Sequence, residues 1–227
     1  VRYCLLLCLV PALLAQCDLR WDADGDGRPE RIRVLGDGTE GPLVAQDNRG
    51  RTRWTIDPHV VTRECHALEI FGRRGIAIFP HGMALRFYQF RDGQWSSRDL
   101  YTFYTASWQG GLVQADINGD GWPDLFAGNY WLESPAEWRL PWRLYAINTF
   151  SEHPDSATAQ LHWDGQRLLW VESRRPRGRI IWFRPPADRR QLWLAEPHPL
   201  NEKLDCPQLT LRQGQPRLTS ANSRRCR

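Results

Sequence analysis

The sequence predicts an all-β fold: a small β-propeller or propeller-like array of four-stranded units, about four to five blades with a period of about 47 residues. Three observations lead there. Pairs of alternating apolar stretches joined by Gly-containing turns recur at an even interval. No stretch sustains a helical period, and sixteen prolines and eighteen glycines punctuate the chain throughout. Two acidic loops of one pattern, Asp22–Glu30 and Asp116–Asp124, start 94 residues apart, which is twice about 47.

The hairpins come first. Stepping by about 47 from Asp22 lands near Glu69, Asp116, Trp163 and Thr210, and each point falls in or beside a strand–turn–strand pattern. The five are Asp18–Trp21 with Arg31–Val34, Ala67–Ile70 with Ile76–Phe79, Leu112–Ala115 with Leu125–Gly128, Gln160–Trp163 with Leu168–Val171, and Gln208–Leu211 with Arg217–Ser220. Further strand candidates lie between them: Leu43–Gln46, Arg51–Ile56, Ala84–Phe90, Tyr101–Tyr104, Arg143–Ile147 and Arg179–Phe183. Residues 130–135 and 182–186 form a second repeated register; Trp131 and Trp182 stand 51 apart, as do Trp142 and Trp193. Four strands per unit at this period suit a propeller blade, with an all-β sandwich as the alternative.

The chain of 227 residues suits one domain with a sizeable core. Residues 1–16 read as a signal peptide: Arg2, the apolar run Tyr3–Leu14, and Ala15 before cleavage. The run is too short to span a bilayer, so no transmembrane segment is expected, and residues 17–227 are assigned to the folded domain. The protein is therefore expected to be exported, to a periplasmic or extracellular location. Leu14-Ala15-Gln16-Cys17 also resembles a lipobox, which makes a lipid anchor at Cys17 the alternative to simple cleavage. Export makes Cys17, Cys65, Cys206 and Cys226 disulfide candidates, with Cys17 and Cys65 each beginning a unit and Cys206 and Cys226 flanking the last hairpin. Basic residues number 30, all arginine except Lys203, with a net charge of only +4 and no nucleic-acid motif, so nucleic acid is not an expected partner.

The acidic loops carry the chemistry. Asp22, Asp24, Asp26 and Glu30 in the first, and Asp116, Asn118, Asp120 and Asp124 in the second, place oxygen side chains at positions 1, 3, 5 and 9. Glycines at positions 4 and 6 allow the chain to wrap an ion, and the carbonyls of Arg28 and Trp122 at position 7 add a ligand. Hard oxygens in that number suit Ca2+, so two calcium sites are expected, in a structural role. An EF-hand would need a Glu at position 12 and flanking helices, but Arg33 and Ala127 stand there and strands follow.

Asp116–Gly128 resembles the calcium loop and following strand of FG-GAP/VCBS repeat proteins, the propellers of integrin α-chains and of exported bacterial proteins. Asp22–Val34 matches with Glu30 in place of the usual aspartate. The resemblance implies a calcium-binding β-propeller repeat. Counterpart loops in the other units, Phe71–Gly75, Asp164–Gln166 and Gln213–Gln215, lack the acids to cage an ion.

No hydrolase, zinc-protease or phosphate-loop signature is present. The expected function is a non-enzymatic binding or scaffold module for an unknown protein or glycan ligand. The alternative is a calcium-dependent carbohydrate-active enzyme, with Glu133 and Glu137 as a carboxylate pair. Trp122, inside a calcium loop, is the tryptophan least suited to a core role.

Overall fold

The structure is a computed structural model that describes residues 17–62, 64–103, 111–148, 159–172 and 178–220. These form four four-stranded antiparallel sheets and a terminal two-stranded hairpin, with strands in chain order within each sheet. The first sheet is β1 (Asp18–Trp21), β2 (Glu30–Val34), β3 (Glu40–Gln46) and β4 (Thr52–Val61). The second is β5 (Cys65–Ile70), β6 (Arg73–Ile78), β7 (Ala84–Arg91) and β8 (Gln94–Thr102). The third is β9 (Leu112–Ala115), β10 (Asp124–Ala127), β11 (Tyr130–Glu133) and β12 (Arg143–Ala146). The fourth is β13 (Ala159–Trp163), β14 (Leu168–Glu172), β15 (Ile180–Arg184) and β16 (Leu194–Pro197). β17 (Pro207–Arg212) and β18 (Gln215–Ser220) close the described chain.

All five expected hairpins are present, and each opens a sheet or the terminal pair. The second register also has a structural meaning: Trp131 and Trp182 lie on the third strands of their sheets, while Trp142 and Trp193 are buried just ahead of the fourth. The sequence reading missed β16, which starts at the exposed Leu194 and ends at a proline. It also placed the fourth strand of the second sheet too late. β8 begins at Gln94, where Gln-Trp-Ser-Ser-Arg-Asp is an edge strand with no buried residue before Leu100.

The sheets stack face to face in chain order. Ile32, Val34, Leu43 and Ala45 of the first sheet pack with Ile76, Ile78 and Tyr88 of the second. Residues one step out of phase, Ala77, Leu85 and Phe87, point instead to Leu125, Ala127 and Leu132 of the third. Phe126 and Trp131 in turn meet Leu168, Trp170, Ile181 and Phe183 of the fourth. Leu169, Val171 and Ile180 receive Leu209 and Leu218 of the terminal hairpin. The middle sheets are thus buried on both faces, and every residue of β10 and β14 is buried. Each sheet buries its apolar face only against its neighbours, as a propeller-like repeat does. Among the described residues no apolar cluster joins the first sheet to the terminal hairpin.

Cys17 and Cys65, at the starts of the first strands of neighbouring sheets, form a disulfide across 48 positions. The Cys17 sulfur cannot form this bond and carry a thioether-linked lipid at once. Cys206 is disulfide-bonded, whereas Cys226 and the expected signal segment 1–16 lie outside the described residues. Among the described residues, no helix is long and apolar enough to cross a membrane.

Candidate metal centre

Both acidic loops connect the first and second strands of their sheets, β1 to β2 and β9 to β10. Five backbone-to-side-chain hydrogen bonds recur in both, and the second loop adds two more, from the Asp120 amide to Asp116 and from Asn118 Nδ2 to Asp120. The position-1 carboxylate accepts from the position-4 amide (Gly25 N to Asp22 Oδ1, Gly119 N to Asp116 Oδ1, both 2.8 Å) and from the position-6 amide (Gly27 N to Asp22 Oδ2, Gly121 N to Asp116 Oδ2, both 3.0 Å). The position-3 oxygen accepts from the position-5 amide, at 3.2 Å in Asp24 and 3.0 Å in Asn118. The amides of Arg28 and Trp122 donate to the position-5 aspartates Asp26 and Asp120, both at 2.8 Å. The position-9 carboxylate reaches back to the position-2 amide: Ala23 N to Glu30 Oε2 at 3.1 Å, Ile117 N to Asp124 Oδ2 at 3.3 Å. Gly25, Gly27, Gly119 and Gly121 all have φ between +77° and +86°, a region that a side chain rarely adopts.

This geometry gathers oxygen atoms toward one point. Asp22, Asp24 and Glu30 each offer a carboxylate oxygen within 4.8 Å of the other two. Oxygens so spaced can share an ion at about 2.4 Å, the distance calcium prefers. The donor set is therefore a fit for a hard divalent cation. Asp26 lies outside that trio. In the second loop Asn118 supplies an amide in place of one carboxylate, and no comparable carboxylate trio forms there among the described residues.

The two position-9 carboxylates are buried. Burial pushes the Asp124 carboxyl up from its ordinary 3.8 to about 6, against the opposing pull of the Ser134 and Ile117 amides. Holding that group ionised in the fold is costly unless a cation is near.

Residues 72–127 match the family model described as an FG-GAP-like repeat. The chain carries an FG-GAP-like repeat. The matched segment runs from β6 through β10, so this FG-GAP repeat takes in the second acidic loop and the strand after it. The first loop lies outside the match but shares the five recurring hydrogen bonds. Comparison with curated proteins and with solved structures gave no match.

Two further residues belong to the loops, and sequence reasoning passed over them as parts of these sites. Glu133, at the end of β11, accepts from Asn118 Nδ2 at 3.3 Å, from Arg190 at 2.7 Å and from Tyr145 Oη at 3.1 Å. Its nearness was readable: β10 and β11 pair Leu125 with Leu132, which brings Glu133 beside Asp124. Arg53, on β4, reaches the first loop from 23 positions beyond Glu30, and no local pattern announces it. Trp122 is 42% exposed and leans on Phe71 of the second sheet, ring centroids 5.1 Å apart.

Proposed function

We propose that this chain is an exported calcium-binding module whose calcium is structural, and that it acts as a binding or scaffold protein. The observation that carries the reading is the recurrence of one five-bond, two-glycine loop at the same place in two sheets, with carboxylate oxygens converging in the first. Asp22, Asp24, Asp26 and Glu30 would hold one ion, and Asp116, Asn118, Asp120 and Asp124 the other, with the carbonyls of Arg28 and Trp122 as further ligands. Bound calcium would offset the repulsion among these acids and add to the hydrogen bonds that close each loop. Export is supported by the Cys17–Cys65 disulfide, which suits an oxidising compartment.

The partner surface has one charged candidate. An open cleft of about 710 Å³ lies beside the first loop and is lined by five arginines, Arg20, Arg28, Arg49, Arg51 and Arg53, together with the acids Asp26, Glu30 and Asp47. Arg51 pairs with Asp47 and Arg53 with the loop acids. Arg20, Arg28 and Arg49 have no ion pair among the described residues, which suits a ligand bearing carboxylate or sulfate groups. The enzyme alternative draws no support from Glu133. Burial would raise its carboxyl, but hydrogen bonds from Arg190, Tyr145 and Asn118 outweigh this and hold it below the ordinary range, which is unsuited to a general acid.

Thermal melting tests the calcium role. Millimolar calcium is expected to raise the Tm over that in excess chelator. Identical melting under the two conditions would remove the structural role of the ion.

A further inference from the structure

The two loops share five internal bonds but differ in what stands beside them. In the first, the Arg53 guanidinium sits among the acids: Nη1 is 2.5 Å from Glu30 Oε1, Nη2 is 3.0 Å from Asp24 Oδ2, and Nη1 is 3.5 Å from Asp26 Oδ2. In the second, no basic side chain pairs with Asp116, Asp120 or Asp124 among the described residues; the neighbouring Arg190 pairs with Glu133 instead.

We propose that Arg53 is the resident cation of the first loop, so that this loop closes without metal and takes calcium weakly, while the second loop is the calcium-dependent one. The proposal rests on the calcium reading of the loops given above.

The backbone is built to deliver that side chain. β3 and β4 pair Ala45 with Trp54 and Gln46 with Thr52, so Arg53 is the extra residue of a β-bulge. A bulge leaves its extra residue unpaired and re-aims it. Trp54, packed on the core of the first two sheets, holds the strand, and the Arg53 guanidinium lies over its ring at 4.3 Å. The planar fork then meets two carboxylates with separate nitrogens, which a single point charge cannot do.

Competition follows from geometry. Asp24 and Glu30 are two of the three residues whose oxygens converge on one point. A divalent ion needs those oxygens, and Arg53 already holds both side chains by short charge-assisted hydrogen bonds. Calcium entry would require these to break and would bring a second cation against the first. The second loop meets no such competitor.

Calcium titration by calorimetry, on the full folded chain at neutral pH, tests this with three variants. Wild type is expected to bind one ion tightly. Asp116→Asn, which disables the second loop, should lose that event. Arg53→Gln on top of Asp116→Asn should recover a site at least about tenfold tighter than in Asp116→Asn alone. Arg53→Lys in the same background should gain less than Arg53→Gln, because it keeps the charge without the fork. Melting in chelator gives a second readout: Arg53→Gln should lower the Tm and calcium should restore it. Two equally tight sites in wild type, or no gain from Arg53→Gln, would overturn the role of Arg53 alone. Absence of calcium binding in every variant would instead overturn the calcium reading, and this inference with it.

Discussion

Replacing both Cys17 and Cys65 by alanine should lower the Tm by about 8–16 °C. The bond closes a loop between residues 48 positions apart. Chain-entropy arguments put the stabilisation from a loop of that length at about 4 kcal/mol. For a chain of this size, each kcal/mol moves the Tm by about 2–4 °C. Both cysteines are buried, at 0% and 9% exposure, so alanine leaves only a small void and the loss is dominated by the bond. The two cysteines lie at the starts of β1 and β5, the first strands of sheets whose cores are shared, so the link adds a covalent tie between two units that otherwise meet by apolar packing and by the contacts of Asp57 with Tyr88 and Arg86. The measurement is calorimetric melting in saturating calcium without reductant. It has an internal control. Cys65→Ala alone should cost nearly as much as the double variant, because one partner suffices to abolish a shared bond. A single or double variant that melts within about 2 °C of wild type would refute the chain-entropy reasoning. An unaffected Cys65→Ala would show that the Cys17 sulfur is engaged elsewhere, as a lipid anchor would require.

Asp120→Ala should lower the Tm more in calcium than in chelator, because on the proposed calcium reading the side chain would be a ligand as well as the acceptor for the Trp122 amide. In chelator, the raised Asp124 carboxyl makes folding favour the protonated form. That contribution is complete below 3.8 and is lost as pH rises through about 6, so lowering the pH from 7.5 to 5 should add about 1–1.5 kcal/mol. His198, whose burial lowers its pKa, acts in the opposite direction; the comparison is therefore between wild type and Asp124→Asn in chemical denaturation, and equal pH slopes would dismiss the Asp124 contribution. Trp193→Ala should cost about 3–5 kcal/mol, since the ring is 2% exposed and packs edge-on against Phe126 at 5.6 Å. Arg20→Ser with Arg49→Ser should weaken binding to a uronate or sulfated polysaccharide without altering binding to a neutral one, read by affinity electrophoresis at two salt concentrations.

Much of the fold was legible because its determinants are local. Each first hairpin announces itself by period-2 alternation and a turn, and each acidic loop by glycines fixed at positions that need positive φ. β8 and β16 were less legible because edge strands bury little: β16 has no buried residue, and β8 has only Leu100. The acidic residues that each loop gathers were readable as a set for the same reason, being within nine residues of one another. Arg53 was not. Its approach depends on a bulge opposite Ala45 and Gln46, and register shifts in a sheet are decided by cross-strand packing, which leaves no mark in the local sequence.

Why only two of the first hairpins carry acidic loops can be argued from the turns themselves. β5 and β6 are joined by Phe71-Gly72, both at positive φ (52° and 67°), and β17 and β18 by Gln213-Gly214 (53° and 75°). Two consecutive residues of that kind make the tight turn whose twist matches the strands, and it is complete without help. The nine-residue loops of the first and third sheets cannot close by backbone twist alone. They close by carboxylates that gather amides inward and so accumulate charge, which must then be neutralised. The sheets place the two kinds of turn side by side: Arg74 of the second sheet lies over Trp21, at the mouth of the first loop, at 5.5 Å, and Trp122 of the second loop rests on Phe71. A long loop that loses its cation would therefore loosen against a neighbour that stays formed. The damage from calcium loss should centre on the β9–β10 connection and its contact with Phe71. Hydrogen exchange in chelator should accelerate at Gly119–Trp122 first, while the amides of the first loop, held with Arg53 in place, remain protected.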